Sequence, residues 1–154
     1  MKSSNIRALA ATLALAVIAC AGPAAAEWRR AESERFIVYS EGSERALRAY
    51  VQKLETFDYI LRLRMGLSTD APARKFPIYL LRNRNEFRSV YVGVPDYVAG
   101  TYFPTGEDIF AVAMAEGGEE VMLHEYFHHL SYQTGGMTTY PGWLVEGLAE
   151  YYMT

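Results

Sequence analysis

The feature that most constrains the fold of this chain is a pair of histidines four residues apart, His124 and His128, with Glu125 between them. In an α-helix, residues four apart lie one turn apart on the same face. Both imidazoles can therefore bind one zinc ion, while Glu125 points to a neighbouring side. A catalytic zinc site uses three protein ligands and leaves a fourth position open for water. The pattern thus predicts a helix here and a third ligand elsewhere in the chain.

The candidate third ligand is Glu146, which follows His128 after 17 intervening residues. Glu150 lies one helical turn further on, so a second helix can present both carboxylates on one face. Glu150 could accept a hydrogen bond from the far nitrogen of His124 or His128 and fix its tautomer; the alternative is an ordinary solvated acid. Gly147 costs about 1 kcal/mol relative to alanine inside a helix. It either allows the two helices to approach closely or is simply tolerated.

Together these residues resemble the gluzincin metallopeptidases, the group of thermolysin-like and aminopeptidase-like enzymes. The matching residues are His124-Glu125-x-x-His128 and Trp143-Leu144-x-Glu146-Gly147-x-Ala149-Glu150-Tyr151, within about residues 120–152. The resemblance implies that His124, His128 and Glu146 bind one Zn²⁺. It also implies that Glu125 is the general base and that Glu150 supports a ligand histidine. The implied fold is zincin-like, and the implied activity is hydrolysis of peptide bonds by a metal-activated water.

Peptide hydrolysis also needs a group that stabilises the developing oxyanion. The three histidines form one cluster, which leaves Tyr140, Tyr151 and Tyr152 as conceivable donors. Gluzincins normally continue well beyond the third ligand, so the resemblance implies a truncated catalytic domain, with a minimal enzyme as the alternative. The rival function is a non-catalytic zinc- or peptide-binding module on a zincin fold.

The remaining pattern predicts an α+β domain, with a mixed sheet covered by helices, a metal-bearing helix and a following ligand helix. Apolar residues at steps of three and four predict a long helix between Ser43 and Gly66. A short connection predicts that the strands at 100–103 and 109–114 pair as a hairpin, whose edge lies beside the metal helix. The predicted strands are 36–40, 76–81, 100–103 and 109–114, and the further helices are 85–91, 119–134 and 141–153.

Residues 1–26 are interpreted as a signal peptide: a basic start, an apolar run from Ala8 to Ala19 and a small-residue cleavage site at Ala24-Ala25-Ala26. The apolar run is too short to span a bilayer. Cys20, the only cysteine, follows Val17-Ile18-Ala19, which resembles a bacterial lipobox, so a lipid anchor is the alternative. The predicted domain is 27–154, in a secreted or periplasmic protein.

The charge of the predicted domain disfavours nucleic acid as a partner. Residues 27–154 carry 13 basic and 18 acidic residues, a net charge of −5, and no concentrated basic stripe. The expected partner is therefore a peptide or protein substrate. His129 lies one position beyond His128 and off the metal-facing side, so we expect it to be a surface or packing residue.

Overall fold

The computed structural model describes residues 27–105, 108–135 and 139–154. The signal-peptide prediction for 1–26 lies outside the described residues. Within them the chain forms a five-stranded mixed sheet and four helices, so the α+β prediction is confirmed. The elements in chain order are β1 Arg29–Glu32, β2 Phe36–Ser40, α1 Glu44–Met65, β3 Phe76–Leu81, α2 Arg84–Val90, β4 Gly100–Thr105, β5 Asp108–Met114, α3 Glu119–Gln133 and α4 Gly142–Met153.

The sheet has the strand order β1-β2-β3-β5-β4. Its centre is parallel, with β3 between β2 and β5. Both outer pairs, β1–β2 and β4–β5, are antiparallel. The predicted hairpin is therefore confirmed, and β4 is an edge strand; its connecting residues 106–107 lie outside the described ranges. The helix α1 provides the crossover that parallel strands such as β2 and β3 require.

The boundaries of α1 agree with the sequence prediction because both of its caps are local. The Ser43 hydroxyl accepts a hydrogen bond from the backbone N–H of Ala46 at 3.2 Å, which satisfies one free donor of the first turn. Gly66 ends the helix in the left-handed conformation, with φ 66° and ψ 30°. Between the caps, α1 buries Leu47, Val51, Leu54 and Leu61 against the sheet.

The two faces of the sheet are covered differently, because alternate residues of each strand point to opposite sides. On one face, Ile78 and Leu80 pack in the main core against α1 and α3. On the other face, Leu81 and Val112 pack with Phe87 of the short helix α2. The main core extends to α4 through Ala149, so α4 lies beside α3, which packs against β4 and β5.

The structure contains one strand that the sequence did not predict, and it decides between the two interpretations of Gly147. The strand β1 was not predicted: Arg29 to Glu32 reads as a charged, solvated stretch, yet it pairs with β2 as an exposed edge strand. Gly147 does not mediate a close helix approach, because a Cβ added there would meet nothing within 4 Å. Of the two interpretations, the structure supports the one in which the helix simply tolerates this glycine.

No helix among the described residues is long and apolar enough to cross a membrane.

Candidate metal centre

The helix α3 carries the two candidate histidines on the side that faces α4. Its opposite side is buried in the core, where Met122, Tyr126 and Leu130 are almost completely inaccessible. The acids Glu119 and Glu120 occupy its first turn, where the helix dipole favours negative charge. The core contacts hold one face of α3 in place, and the histidines project from the other.

The structure brings the three predicted ligands together. The Nε2 atoms of His124 and His128 are 3.0 Å apart. One Glu146 carboxylate oxygen lies 3.2 Å from Nε2 of His124 and 3.5 Å from Nε2 of His128. Among the described residues these three form the one group of histidine and acidic side chains with the convergence that a metal ion needs.

The donor set fits zinc in chemistry and in spacing. Zinc binds imidazole nitrogen and carboxylate oxygen at about 2.0–2.2 Å in tetrahedral geometry. Tetrahedral ligand atoms at that distance from an ion lie about 3.3–3.6 Å from each other. The separations of 3.0, 3.2 and 3.5 Å are close to this range. A zinc ion held by these three groups would have a fourth tetrahedral position open to water, as in catalytic zinc sites.

Glu150 lies on the far side of His124 from Glu146. Its carboxylate oxygen is 3.5 Å from Nδ1 of His124, while Nε2 of the same ring points to Glu146. A proton on Nδ1 would therefore face Glu150 and leave the Nε2 lone pair for a metal. The side chain of Glu150 is about two-thirds exposed, so this contact is long and solvated. It supports the orientation of the ring weakly.

Glu125 lies beside the histidines and lines a cleft together with His128 and Glu146. It is half-buried, and this burial raises the pKa of its carboxyl group. The nearby charge of His124 and a hydrogen bond from the backbone of Tyr102 lower the pKa of Glu125, while the charge of Glu146 raises it. Burial lowers the pKa of His128, which favours the neutral imidazole that a metal requires.

The cleft has a volume of about 520 Å³ and aromatic walls. Of the three tyrosines proposed as oxyanion donors, Tyr140 lines it. Tyr152 instead stacks on Phe127, with ring centroids 5.4 Å apart, and Tyr151 is largely exposed to solvent outside the cleft lining. Tyr140 is therefore the remaining candidate of the three.

The edge strand β4 forms one wall of this cleft through Tyr102 and Pro104. Sequence reasoning placed the edge beside the metal helix but did not select these side chains. The alternation of side chains along β4 could have identified them, since Gly100, Tyr102 and Pro104 share one face of the strand.

A second cavity of about 530 Å³ lies on the opposite face of the sheet, between Trp28 and Phe110, and its lining has no candidate metal ligand.

His129 is a buried packing residue, in agreement with the sequence prediction. Its ring stacks on Phe76 with centroids 4.0 Å apart, and its Nδ1 lies 3.2 Å from the Tyr102 hydroxyl. Burial lowers the pKa of His129 to about 4, and the charge of Arg62 contributes in the same direction. A neutral His129 can accept a hydrogen bond from Tyr102 and so connect the cleft wall to α3.

Comparisons of the chain with protein-family models, with curated proteins and with solved structures each found no match.

Proposed function

We propose that this protein is a zinc-dependent peptidase that hydrolyses peptide bonds with a metal-activated water. The observation that carries the proposal is the convergence of two imidazole nitrogens and one carboxylate oxygen, 3.0–3.5 Å apart, beside Glu125 in an open cleft. The same residues carry the resemblance to gluzincins. We accordingly propose that the mixed sheet with α3 and α4 is a zincin-like fold.

His124, His128 and Glu146 would hold the ion, and Glu125 would handle protons. Zinc, when bound in such a site, lowers the pKa of a water toward neutrality and polarises a carbonyl. Glu125 accepts the proton of the attacking water and later passes it to the leaving amine. The hydroxyl of Tyr140 is the candidate donor to the oxyanion of the tetrahedral intermediate. Glu150 orients His124 through its Nδ1 side.

The edge of the sheet beside the cleft supports a peptide as the proposed substrate class. The strand β4 is an edge strand, so an extended peptide can add to it through backbone hydrogen bonds. Tyr102 of that strand lines the cleft next to Glu125, which places an added strand close to the metal ligands. We further propose export to the periplasm or the medium under the direction of residues 1–26, with a lipid anchor at Cys20 as the alternative.

Two measurements on the purified chain test this proposal. Metal analysis should find about one zinc per chain, and the chain should hydrolyse a mixture of unstructured peptides. Glu125→Gln should lower kcat/KM at least about 100-fold, because general-base catalysis contributes that much or more, and should keep the zinc. Unchanged hydrolysis in Glu125→Gln would remove Glu125 from the mechanism. Zinc binding without any hydrolysis by the parent chain would favour the rival function, a non-catalytic binding module.

A further inference from the structure

A carboxylate is buried in the core behind the metal helix. Asp58 lies in the middle of α1 and is 1% exposed. Aspartate is almost never buried to this degree unless it is paired. The Nε of Arg62 lies 2.7 and 2.9 Å from its two oxygens, and the Nε of Arg35 lies 2.6 Å from it. Asp58 is therefore held by two guanidinium groups.

Both arginines are fixed in turn by the loop that follows α1. Arg62 donates to the carbonyl oxygen of Ser68 at 3.0 Å. Arg35 donates to the carbonyl oxygens of Thr69 and Asp70. The carboxylate of Asp58 thus occupies a fixed position relative to α1, this loop and the start of β2.

Asp58 has one further partner, and it lies on the metal helix. The hydroxyl of Tyr126 donates to Oδ1 of Asp58 at 2.5 Å. Aromatic side chains enclose the Tyr126 ring: its centroid lies 5.0 Å from that of Phe36 and 5.9 Å from that of Phe76. A tyrosine hydroxyl is protonated at neutral pH, so it is the donor in this bond and the carboxylate is the acceptor.

The position of Tyr126 on α3 gives this bond its importance. Tyr126 is two residues from His124 and two from His128, which is about 200° around an α-helix. The hydroxyl is therefore held on the side of α3 opposite the two imidazoles. Side-chain ends lie about 5–6 Å from a helix axis, so a rotation of about 2° displaces them by about 0.2 Å. That displacement equals the tolerance of metal–ligand distances, about 0.2 Å.

We propose that Asp58 is a positioning residue for the metal centre: through its hydrogen bond with Tyr126, it fixes the rotation of α3 and thereby the directions of His124 and His128. This inference rests on the proposed zinc site. A buried charged cluster is an expensive way to stabilise a core, since apolar residues of similar volume often do as well. A directional hydrogen bond between fixed groups adds an angular restraint to the apolar packing that holds α3.

Tyr126→Phe tests this inference, because it removes the hydroxyl with its contacts to Asp58 and Arg62 and leaves Asp58 paired with both arginines. The matched control is Tyr50→Phe. The Tyr50 hydroxyl is also buried and has no hydrogen-bond partner among the described residues, so its removal breaks no bond. Zinc affinity of the full chain is measured by competition with a chromophoric chelator, at a temperature where circular dichroism finds each apoprotein folded. The visible absorption of the cobalt(II)-loaded protein reports the ligand geometry.

Tyr126→Phe should weaken zinc binding about tenfold, the lower end of the range for groups that bond directly to a metal ligand. It should also shift the cobalt absorption bands, whereas Tyr50→Phe should change neither. A purely structural hydroxyl would lower the unfolding temperature of the apoprotein and leave zinc affinity and cobalt spectrum as they are. Asp58→Asn, which also weakens the pairing of both arginines, should have an effect at least as large if it folds.

The outcomes separate this inference from the proposed function. Wild-type zinc affinity and an unshifted cobalt spectrum in Tyr126→Phe would overturn the positioning role and leave the metal site in place. A parent chain that binds no zinc would overturn the proposed function and this inference together. An equal loss of affinity in Tyr50→Phe would also overturn the positioning role, because the effect would then not depend on the bond to Asp58.

Discussion

Removing the carboxylate of Glu146 is the most direct test of the three-ligand centre. Structural zinc sites with four ligands bind with about 10–16 kcal/mol, so one ligand contributes about 3 kcal/mol on average. That loss corresponds to roughly a 100-fold increase in Kd. The Glu146 side chain is 63% exposed, so its removal creates no cavity. We therefore expect Glu146→Ala to raise the zinc Kd about 100-fold and to change apoprotein stability by less than about 0.5 kcal/mol.

The measurement is a chelator competition titration, with the thermal unfolding of the metal-free protein recorded alongside. Glu116→Ala is the matched control, because Glu116 is an exposed acid in the turn before α3 and lies outside the helix that carries the histidines, and it should retain the parent Kd. A Kd for Glu146→Ala within about threefold of the parent value would refute the assignment of Glu146 as the third ligand. A large loss of apoprotein stability would contradict the reading of Glu146 as a solvent-exposed side chain.

Two further predictions concern the cleft and the helices that carry the site. Tyr140→Phe should lower kcat about 100-fold with little change in KM, because the loss of one oxyanion donor has an effect of this size. Tyr151 lies outside the cleft lining, so the control Tyr151→Phe should retain the parent kinetics. Gly118→Ala should lower the free energy of unfolding by more than about 2 kcal/mol, because its Cβ would clash with the carbonyl oxygen of Met114. Gly147→Ala should raise the free energy of unfolding by up to about 1 kcal/mol, since the added Cβ meets nothing within 4 Å. Chemical denaturation measures both, and a stabilising Gly118→Ala or a strongly destabilising Gly147→Ala would contradict this reasoning.

Elements whose determinants are local were predicted well from the sequence. The apolar spacing of α1 and its caps at Ser43 and Gly66 place its ends correctly, because capping depends on a few neighbouring residues. The strand β1 was missed because Arg29-Arg30-Ala31-Glu32 has no β-branched or aromatic residue. Its position explains the composition: charged side chains are typical of edge strands, where they discourage pairing with other chains.

The candidate site also contains residues that a local sequence pattern predicts and residues that only the structure identifies. Helical spacing alone predicts that His124 and His128 share one face, the resemblance selected Glu146 as the third residue, and the structure brings Glu146 to them from the neighbouring helix. The roles of Tyr102 and Asp58 follow from contacts between residues distant in sequence. Tyr102 reaches the cleft because β4 lies at the edge of the sheet, and Asp58 meets Tyr126 across 68 positions. Such contacts depend on strand order and helix packing, which no local pattern encodes.

The exposure of the three candidate ligands is unequal, and this has a kinetic consequence. The side chains of His124 and His128 are 15% and 11% exposed, whereas that of Glu146 is 63% exposed. The carboxylate can change rotamer without disturbing the core, but the imidazoles cannot. We expect ions to enter and leave through the Glu146 side of the centre once the bond between the ion and this carboxylate has broken, without any unfolding of the protein.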